Sequence, residues 1–362
     1  MNQNASFLDI LKPTAVHDRG APCRRRRPVR SSSQGTVTLQ ILTTQQDYTR
    51  VVLENDSGCV YGIAFHPDGI HFVGGTGNGI RRWRVADGQE VGKQMGMDLN
   101  AISVSRDDKW IVCGFWEGAL VWDAELQRKV VEVEDKNFVE AVDVSPDSTR
   151  FATATGRTGM KASIWSITTG ERLVGPLEHG RDVKGIKFSP DGRHIATACL
   201  DSIHIFDSYN GDQLITIKNP LPDWAAFIPI VWPSDGRIFA ISEGGNIKSF
   251  DTSTGSQLAE WQIHSHDNEA LMSIALSANN KFIASFAGHS VSFWDTSTHT
   301  QLGSDLEDDD QIRTIALSPD GTRLATGGYD KTITIWNLSD ILPESYLHTT
   351  VRTTFIYGST FL

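Results

Sequence analysis

Three short clusters in this sequence carry residue types that do chemistry. His264-Ser265-His266 puts two imidazoles on one side of an extended chain; with Asp267 or His289 it would begin a zinc site, which needs further ligands. Glu307-Asp308-Asp309-Asp310 groups the oxygen ligands that calcium takes, without the ordered spacing of a calcium loop. Gly74-Gly75-Thr76-Gly77-Asn78-Gly79 has the composition of a phosphate cradle, but a strand follows it, so no helix N-terminus would meet the phosphate. Each cluster has a plainer reading: a His at the connection into a sheet, a hydrated acidic connection, and an Asn-Gly hairpin turn. Nucleophilic catalysis needs a base and an orienting acid beside Ser or Cys, and no G-x-S-x-G or local Cys/His pattern is present. Pairs of Asp and Glu are abundant but fall at turns. These residues lead us to expect no catalytic residue, no metal, no cofactor and no enzyme.

The elements that hold them recur. Seven turn segments follow one another: His66-Pro67-Asp68-Gly69, Ser105-Arg106-Asp107-Asp108, Ser145-Pro146-Asp147-Ser148, Ser189-Pro190-Asp191-Gly192, Pro233-Ser234-Asp235-Gly236, Ser277-Ala278-Asn279-Asn280 and Ser318-Pro319-Asp320-Gly321. Each unit closes on an aromatic residue: Trp83, Trp122, Trp165, Phe206, Phe250, Trp294 and Trp336, 39 to 44 residues apart. Within a unit the apolar residues alternate, as in Val183-Lys184-Gly185-Ile186-Lys187-Phe188, which is the period of a strand. Pro presets φ, Asp bonds its own backbone and Gly accepts positive φ, so Pro190-Asp191-Gly192 is a turn. The fourth unit continues with strands at His194–Thr197, Ile203–Phe206 and Gln213–Ile217. Four short antiparallel strands make a blade that cannot cover both of its apolar faces; blades stacked around an axis can, and closing the circle covers them all.

These units resemble WD repeats. Trp122-Asp123 and Trp294-Asp295 carry the dipeptide itself, and Phe206-Asp207, Phe250-Asp251 and Trp336-Asn337 are near variants. The seventh unit, Ile312 to Leu338, follows the family pattern almost throughout, and the resemblance covers about residues 47–338. It implies an all-β fold: a seven-bladed β-propeller of four-stranded antiparallel blades over 36–342. The units lie near 58–90, 97–132, 137–174, 181–217, 224–260, 269–302 and 310–338, between a disordered basic arm (1–35) and a C-terminal tail (343–362). In the family a polar tetrad pins each blade: a His before the first strand, Ser or Thr on the second, Asp in the next turn, and the closing Trp, whose buried N–H needs an acceptor. The fourth unit offers His179, Thr197 and Asp201 but closes on Phe206. The seventh has Thr326, Asp330 and Trp336, with Asp308 in the place of the His, and the sixth has His266 one residue out of register. Polar pinning is therefore reduced, and packing must carry more of the stability. An N-terminal strand usually closes the ring in this family; Asp47 to Leu53 and Thr36 to Leu42 both qualify.

Partner contacts, by the same resemblance, fall on the face built from the loops leading into the first strands and the turns between second and third strands. The first-strand positions are Tyr61, Asn100, Glu140, Lys184, Ile228, Met272 and Arg313; the turns offer Trp116, Arg157, Leu200, Glu243 and Tyr329. Trp116 and Tyr329 stand out because exposed aromatics and Arg dominate interface energy. The resemblance implies a protein–protein interaction scaffold or adaptor, the role it implies for most such proteins, monomeric by itself and binding other proteins or peptides. The alternative is a recognition (sensor) module of a signalling assembly, binding a ligand or a nonself protein.

Charge agrees with this choice of partner. The 362 residues have a net charge of −11; residues 1–35 hold seven Lys/Arg and two Asp, which leaves +5 there and −16 on the rest. So acidic a body repels phosphate backbones, making nucleic acid an unlikely partner. The run Arg24 to Arg30 reads as a solvated basic arm or a nuclear-import signal. Cys23, Cys59, Cys113 and Cys199 are far apart, as reduced thiols of cytoplasm or nucleus are. The longest strongly apolar stretch, Trp224 to Trp232, is too short to span a bilayer, so no membrane association is expected.

Overall fold

The computed structural model describes residues 40–41, 50–54, 58–96, 99–135, 137–156, 159–220, 230–242, 245–263 and 272–347. The basic run, the pair His264 and His266, and residues 348–362 lie outside the described residues.

Turn chemistry sets where the strands end. In five of the seven recurring turns the leading Ser hydroxyl donates to the Asp or Asn two residues on, at 2.6–2.8 Å (Ser105, Ser145, Ser189, Ser277 and Ser318). The same oxygen accepts the backbone N–H five residues on, at the start of the next strand, at 2.9–3.0 Å. The fourth turn residue has a left-handed φ between +58° and +80° in all seven: Gly69, Asp108, Ser148, Gly192, Gly236, Asn280 and Gly321. That conformation explains why Gly dominates there and why Asn and Asp are the usual substitutes.

Seven antiparallel sheets result, in chain order around a central axis. Their inner strands touch in succession, and that of the seventh, Ile312–Leu317, meets that of the first, Val60–Phe65, so the ring is closed. Second strands are sandwiched between neighbouring blades and, after a first residue that is often His or Arg, read as small or apolar; every residue of Arg150–Thr155 is buried, Arg150 included. The core is accordingly a set of layers between blades. One layer packs Val131, Val142, Phe151 and Trp165 between blades 2 and 3. Another packs Leu53, Val60, Phe72, Trp83 and Ile333 across the seam between blades 7 and 1. Spacing is tight enough that a Cβ on Gly75 would lie 2.1 Å from Leu99 Cδ1.

Two strands precede the first blade. Arg50–Glu54 pairs with Thr332–Asn337 (Val51 opposite Ile335, Leu53 opposite Ile333) and supplies the outer strand of blade 7. Gln40–Ile41 then pairs outside it, as an extra edge strand. The ring is thus clasped by the nearer of the two candidate segments, with the farther one flanking it.

Blade 1 departs from the four-stranded pattern. Its regular strands are Val60–Phe65, His71–Thr76 and Gly79–Arg84, and residues 89–95 take the fourth place through isolated bonds only: Ile80 with Met95 in both directions (2.7 and 2.9 Å), Val91 N–H to Arg82 O (2.7 Å) and Arg84 N–H to Gln89 O (2.9 Å). Gly88, Gly92 and Gly96 all have positive φ, which a pleated strand does not accommodate. At the other end the folded body extends to Leu347, beyond the boundary expected at 342. Leu338, Leu342 and Leu347 are buried against blades 6 and 7, and Tyr346 donates its hydroxyl to Asp295 Oδ2 at 2.6 Å.

Candidate interaction face

Four inner strands slip by one residue at the same step. Val60 pairs with Thr76 and Gly62 with Gly75, which leaves Tyr61 as the extra residue of the ladder; the same slip makes Glu140, Lys184 and Arg313 the extra residues in blades 3, 4 and 7. A β-bulge kinks its strand and re-aims the extra side chain. All four, together with Asn100, line a central channel of about 940 Å³.

The channel mouth brings the expected residues together in pairs and triplets. The Arg313 guanidinium lies 4.6 Å from the Tyr61 ring centre and 5.4 Å from that of Tyr329, and its Nη1 donates to the Tyr329 hydroxyl at 2.8 Å. This triplet bridges the seam between blades 7 and 1. Lys184 Nζ sits 2.8 Å from Glu140 Oε1, joining blades 3 and 4, and 3.5 Å from Asp182. Deeper in the channel Lys187 pairs with Asp143 at 2.7 Å. Trp116 stands apart from these groups: it is 60% exposed at the second-to-third turn of blade 2 and meets Phe138 at 4.8 Å and 76°. Phe138 lies in the connection between blades, outside the alternation of any strand, so sequence pattern gave it no signal. Leu200 is half-buried against the layer between blades 4 and 5, and Asn100 is half-buried. Arg157 and Glu243 lie outside the described residues, as does the side chain of Met272.

The blade pins are legible in register. The hydroxyl position lies two residues past the one opposite the closing aromatic. It holds Thr153, Thr197, Ser285 and Thr326 in blades 3, 4, 6 and 7. Trp165, Trp294 and Trp336 donate their Nε1–H to Thr153, Ser285 and Thr326 at 3.0, 3.0 and 3.1 Å. Blades 1, 2 and 5 place Gly74, Cys113 and Ala240 there. Trp83 stacks on Phe72 instead (5.3 Å, 18°), Phe250 has no donor, and the buried Trp122 Nε1 has no acceptor among the described residues.

Blade 4 keeps its His without its Trp. The His179 Nδ1 faces the Leu177 carbonyl at 2.8 Å, which can only accept, so Nδ1 carries the proton and Nε2 accepts the Thr197 hydroxyl at 2.8 Å. Burial, and the nearby His204 ring 5.2 Å away, push the imidazole down to about 4; the Leu177 carbonyl and Asp201 oppose this. In blade 7 Thr326 donates to Asp308 Oδ2 at 2.5 Å, and burial raises the Asp308 carboxyl against that bond. Asp201 and Asp330 accept from the neighbouring Ser202 and Thr332 hydroxyls.

Two of the three chemical clusters of the sequence lie in the described residues and form ordinary structure there. Thr76 pairs with Gly79 around a two-residue hairpin, and in the acidic run Asp308 is held by Thr326 and Asp309 by Arg50 at 3.0 Å. Among the described residues no group of three or more His, Cys, Asp or Glu could hold a metal ion, and no helix is long and apolar enough to cross a membrane.

Residues 48–84, 172–207 and 298–337 match the family described as WD domain, G-beta repeat, on stretches that run through blades 1, 4 and 7. Those three blades carry WD repeats, in a ring whose fold is that of a seven-bladed β-propeller. Nuclear distribution protein nudF of Aspergillus niger is similar to it at 26% identity over 58% of this chain and 53% of that protein. Small ribosomal subunit protein RACK1y of Oryza sativa subsp. japonica is similar at 29% identity over 32% of this chain and 34% of its own length. The chain thus spans about half, or less, of the length of the curated relatives it matches. Among solved structures, the β-propeller domain of Cps50 (Swd1) from Myceliophteria thermophila superposes with a TM-score of 0.67 at 18% identity, covering 78% of this chain and 98% of that one. That likeness concerns the fold of this WD-repeat ring.

Proposed function

We propose that this WD-repeat propeller is a non-catalytic scaffold that presents its channel-mouth face to other proteins or peptides. The observation that carries the reading is the repeated bulge: four inner strands spend a ladder position to turn Tyr61, Glu140, Lys184 and Arg313 toward one mouth. A rigid ring holding variable side chains on its loops and strand starts is a recognition surface, and Trp116 gives it an exposed aromatic anchor of the kind that dominates interfaces. The name of one relative, a small ribosomal subunit protein, places that relative in an assembly. Cys59, Cys113 and Cys199 are buried and none is in a disulfide, in keeping with a reducing compartment, the cytoplasm or nucleus.

The test is affinity capture of the intact chain and of a Trp116→Ala/Tyr329→Ala variant, each followed by mass spectrometry. Proteins retained by the intact chain and lost from the variant are the expected result. The reading fails if neither protein retains anything above background while the chain turns over a small molecule.

A further inference from the structure

We propose that the corner formed by Trp116 and Phe138, at the rim between blades 2 and 3, binds a lysine or arginine side chain of a partner protein. This rests on the scaffold reading and adds the chemistry of the partner.

Trp116 is the one large exposed apolar side chain on the channel-mouth face among the described residues; the others lie in the opposite turns (Ile70, Leu126, Tyr209) or on outer strands (Val130, Leu173, Leu214, Leu258). Its ring meets Phe138 at 76°, so the two form a corner instead of a closed stack, and 60% of Trp116 stays in water. Two glutamates neighbour this corner along the backbone. Glu117 follows Trp116 in the turn. Glu134 is brought beside it by the ladder, since Gly118 lies opposite Glu134 and the Asp135 N–H bonds the Glu117 carbonyl at 2.8 Å. Both glutamates are exposed, and neither side chain has a hydrogen-bond or ion-pair partner among the described residues. Among the described residues, the neighbouring Lys161 is taken by the buried Asp135 at 3.2 Å.

An aromatic face beside two glutamates that have no ion-pair partner among the described residues has one electrostatic complement. The negative face of an indole ring attracts a cation, and the carboxylates add to the same field. An acidic partner would meet repulsion, and a purely apolar one would have to strip water from Glu117 and Glu134 without replacing it. A guanidinium or ammonium group on an alkyl stem satisfies both halves, with the stem on the rings and the charge toward the glutamates.

The full chain labelled with 5-fluorotryptophan tests this, the Trp116 resonance being assigned from a Trp116→Phe sample. The probes are the peptide Gly-Ser-Arg-Ser-Gly and the same peptide with neutral citrulline in place of arginine. A saturable shift at Trp116 is expected with arginine, with binding about two- to fivefold weaker for citrulline and weakened to a similar degree by Glu117→Gln/Glu134→Gln. Equal affinity for the two peptides, or no shift at Trp116, overturns the proposal. The scaffold reading is judged separately: if the captured proteins lost from the Trp116→Ala/Tyr329→Ala variant remain bound to Glu117→Gln/Glu134→Gln, the scaffold stands and the cation site does not.

Discussion

Blades 4 and 7 carry the same hydroxyl at the same register, Thr197 and Thr326, and use it against a neutral and a charged partner. In blade 4 Thr197 donates to a neutral imidazole, and the closing Phe206 packs edge-on against His179 at 5.6 Å. In blade 7 Thr326 accepts the Trp336 N–H and donates its own O–H in a hydrogen bond to the Asp308 carboxylate, while Arg50 from the clasping strand lies 5.3 Å from the Trp336 ring centre. One blade has its pin at the edge of acid titration. The other buries an anion and brings a cation from the far end of the chain to offset it. The difference shows that the repeat fixes the place of a hydroxyl, while its neighbours decide which charge state stabilises the blade.

Acid separates the two blades most strongly. The folded protein keeps His179 neutral, with its pKa depressed from 6.5 to about 4. The stability this group contributes is complete above the unfolded value of 6.5. It is lost as pH falls from 6.5 toward 4, by about 3 kcal/mol. His204 and His299, also depressed first by burial, act with the same sign. Asp308 is raised, so its protonation on acidification favours the folded state. Urea unfolding between pH 7 and pH 4 should therefore show a steep loss for the wild type and a shallower one for His179→Gln. Parallel losses in the two proteins would remove His179 from the account.

Exchanging the closing aromatics sharpens the same contrast. Trp336→Phe removes the donor to Thr326 and part of the surface under Arg50, and should cost about 2 kcal/mol in denaturant midpoints. Phe206→Trp offers Thr197 a donor that its free lone pair can accept, but the larger ring must fit a buried site; the gain and the overpacking should leave a change under about 1 kcal/mol.

The spacing of turns and closing aromatics made the ring legible, because both are imposed locally: left-handed φ at the fourth turn residue, and a layer that needs a large ring every blade. Register was less legible. The positions of Tyr61, Glu140, Lys184 and Arg313 could be read from the repeat, but the bulge that turns them to the channel depends on the pairing strand. Thr153 and Ser285 as Trp partners could have been counted from the closing aromatics once the register was known. Blade 1 misled because its glycine-bearing segment keeps a repeat's length while losing its ladder. Phe138 was invisible because its role comes from a contact across a connection.

Asp308→Asn isolates the charge in blade 7. The amide oxygen can still accept from Thr326, the buried charge disappears, and Arg50 keeps Asp309. Stability at pH 7 should rise by about 1 kcal/mol, and the gain should vanish in acid, where Asp308 itself takes a proton. A loss at pH 7 would mean that the attraction between Arg50 and Asp308 outweighs the cost of burial.

The smallest effect is expected where the pin is missing altogether. Trp122 lies opposite Ile111, so the hydroxyl place in blade 2 falls on Cys113, which is 2% exposed. Cys113→Ser puts an acceptor there with almost no change in shape. It gives up the burial of a weakly polar sulfur and gains an indole hydrogen bond, for a net stabilisation of about 0.5 kcal/mol. A downfield shift of the Trp122 indole proton should accompany the gain. If the serine instead destabilises and the indole proton does not move, the register of blade 2 does not bring this position to Trp122, and the equivalence drawn from blades 3, 4, 6 and 7 does not extend to it.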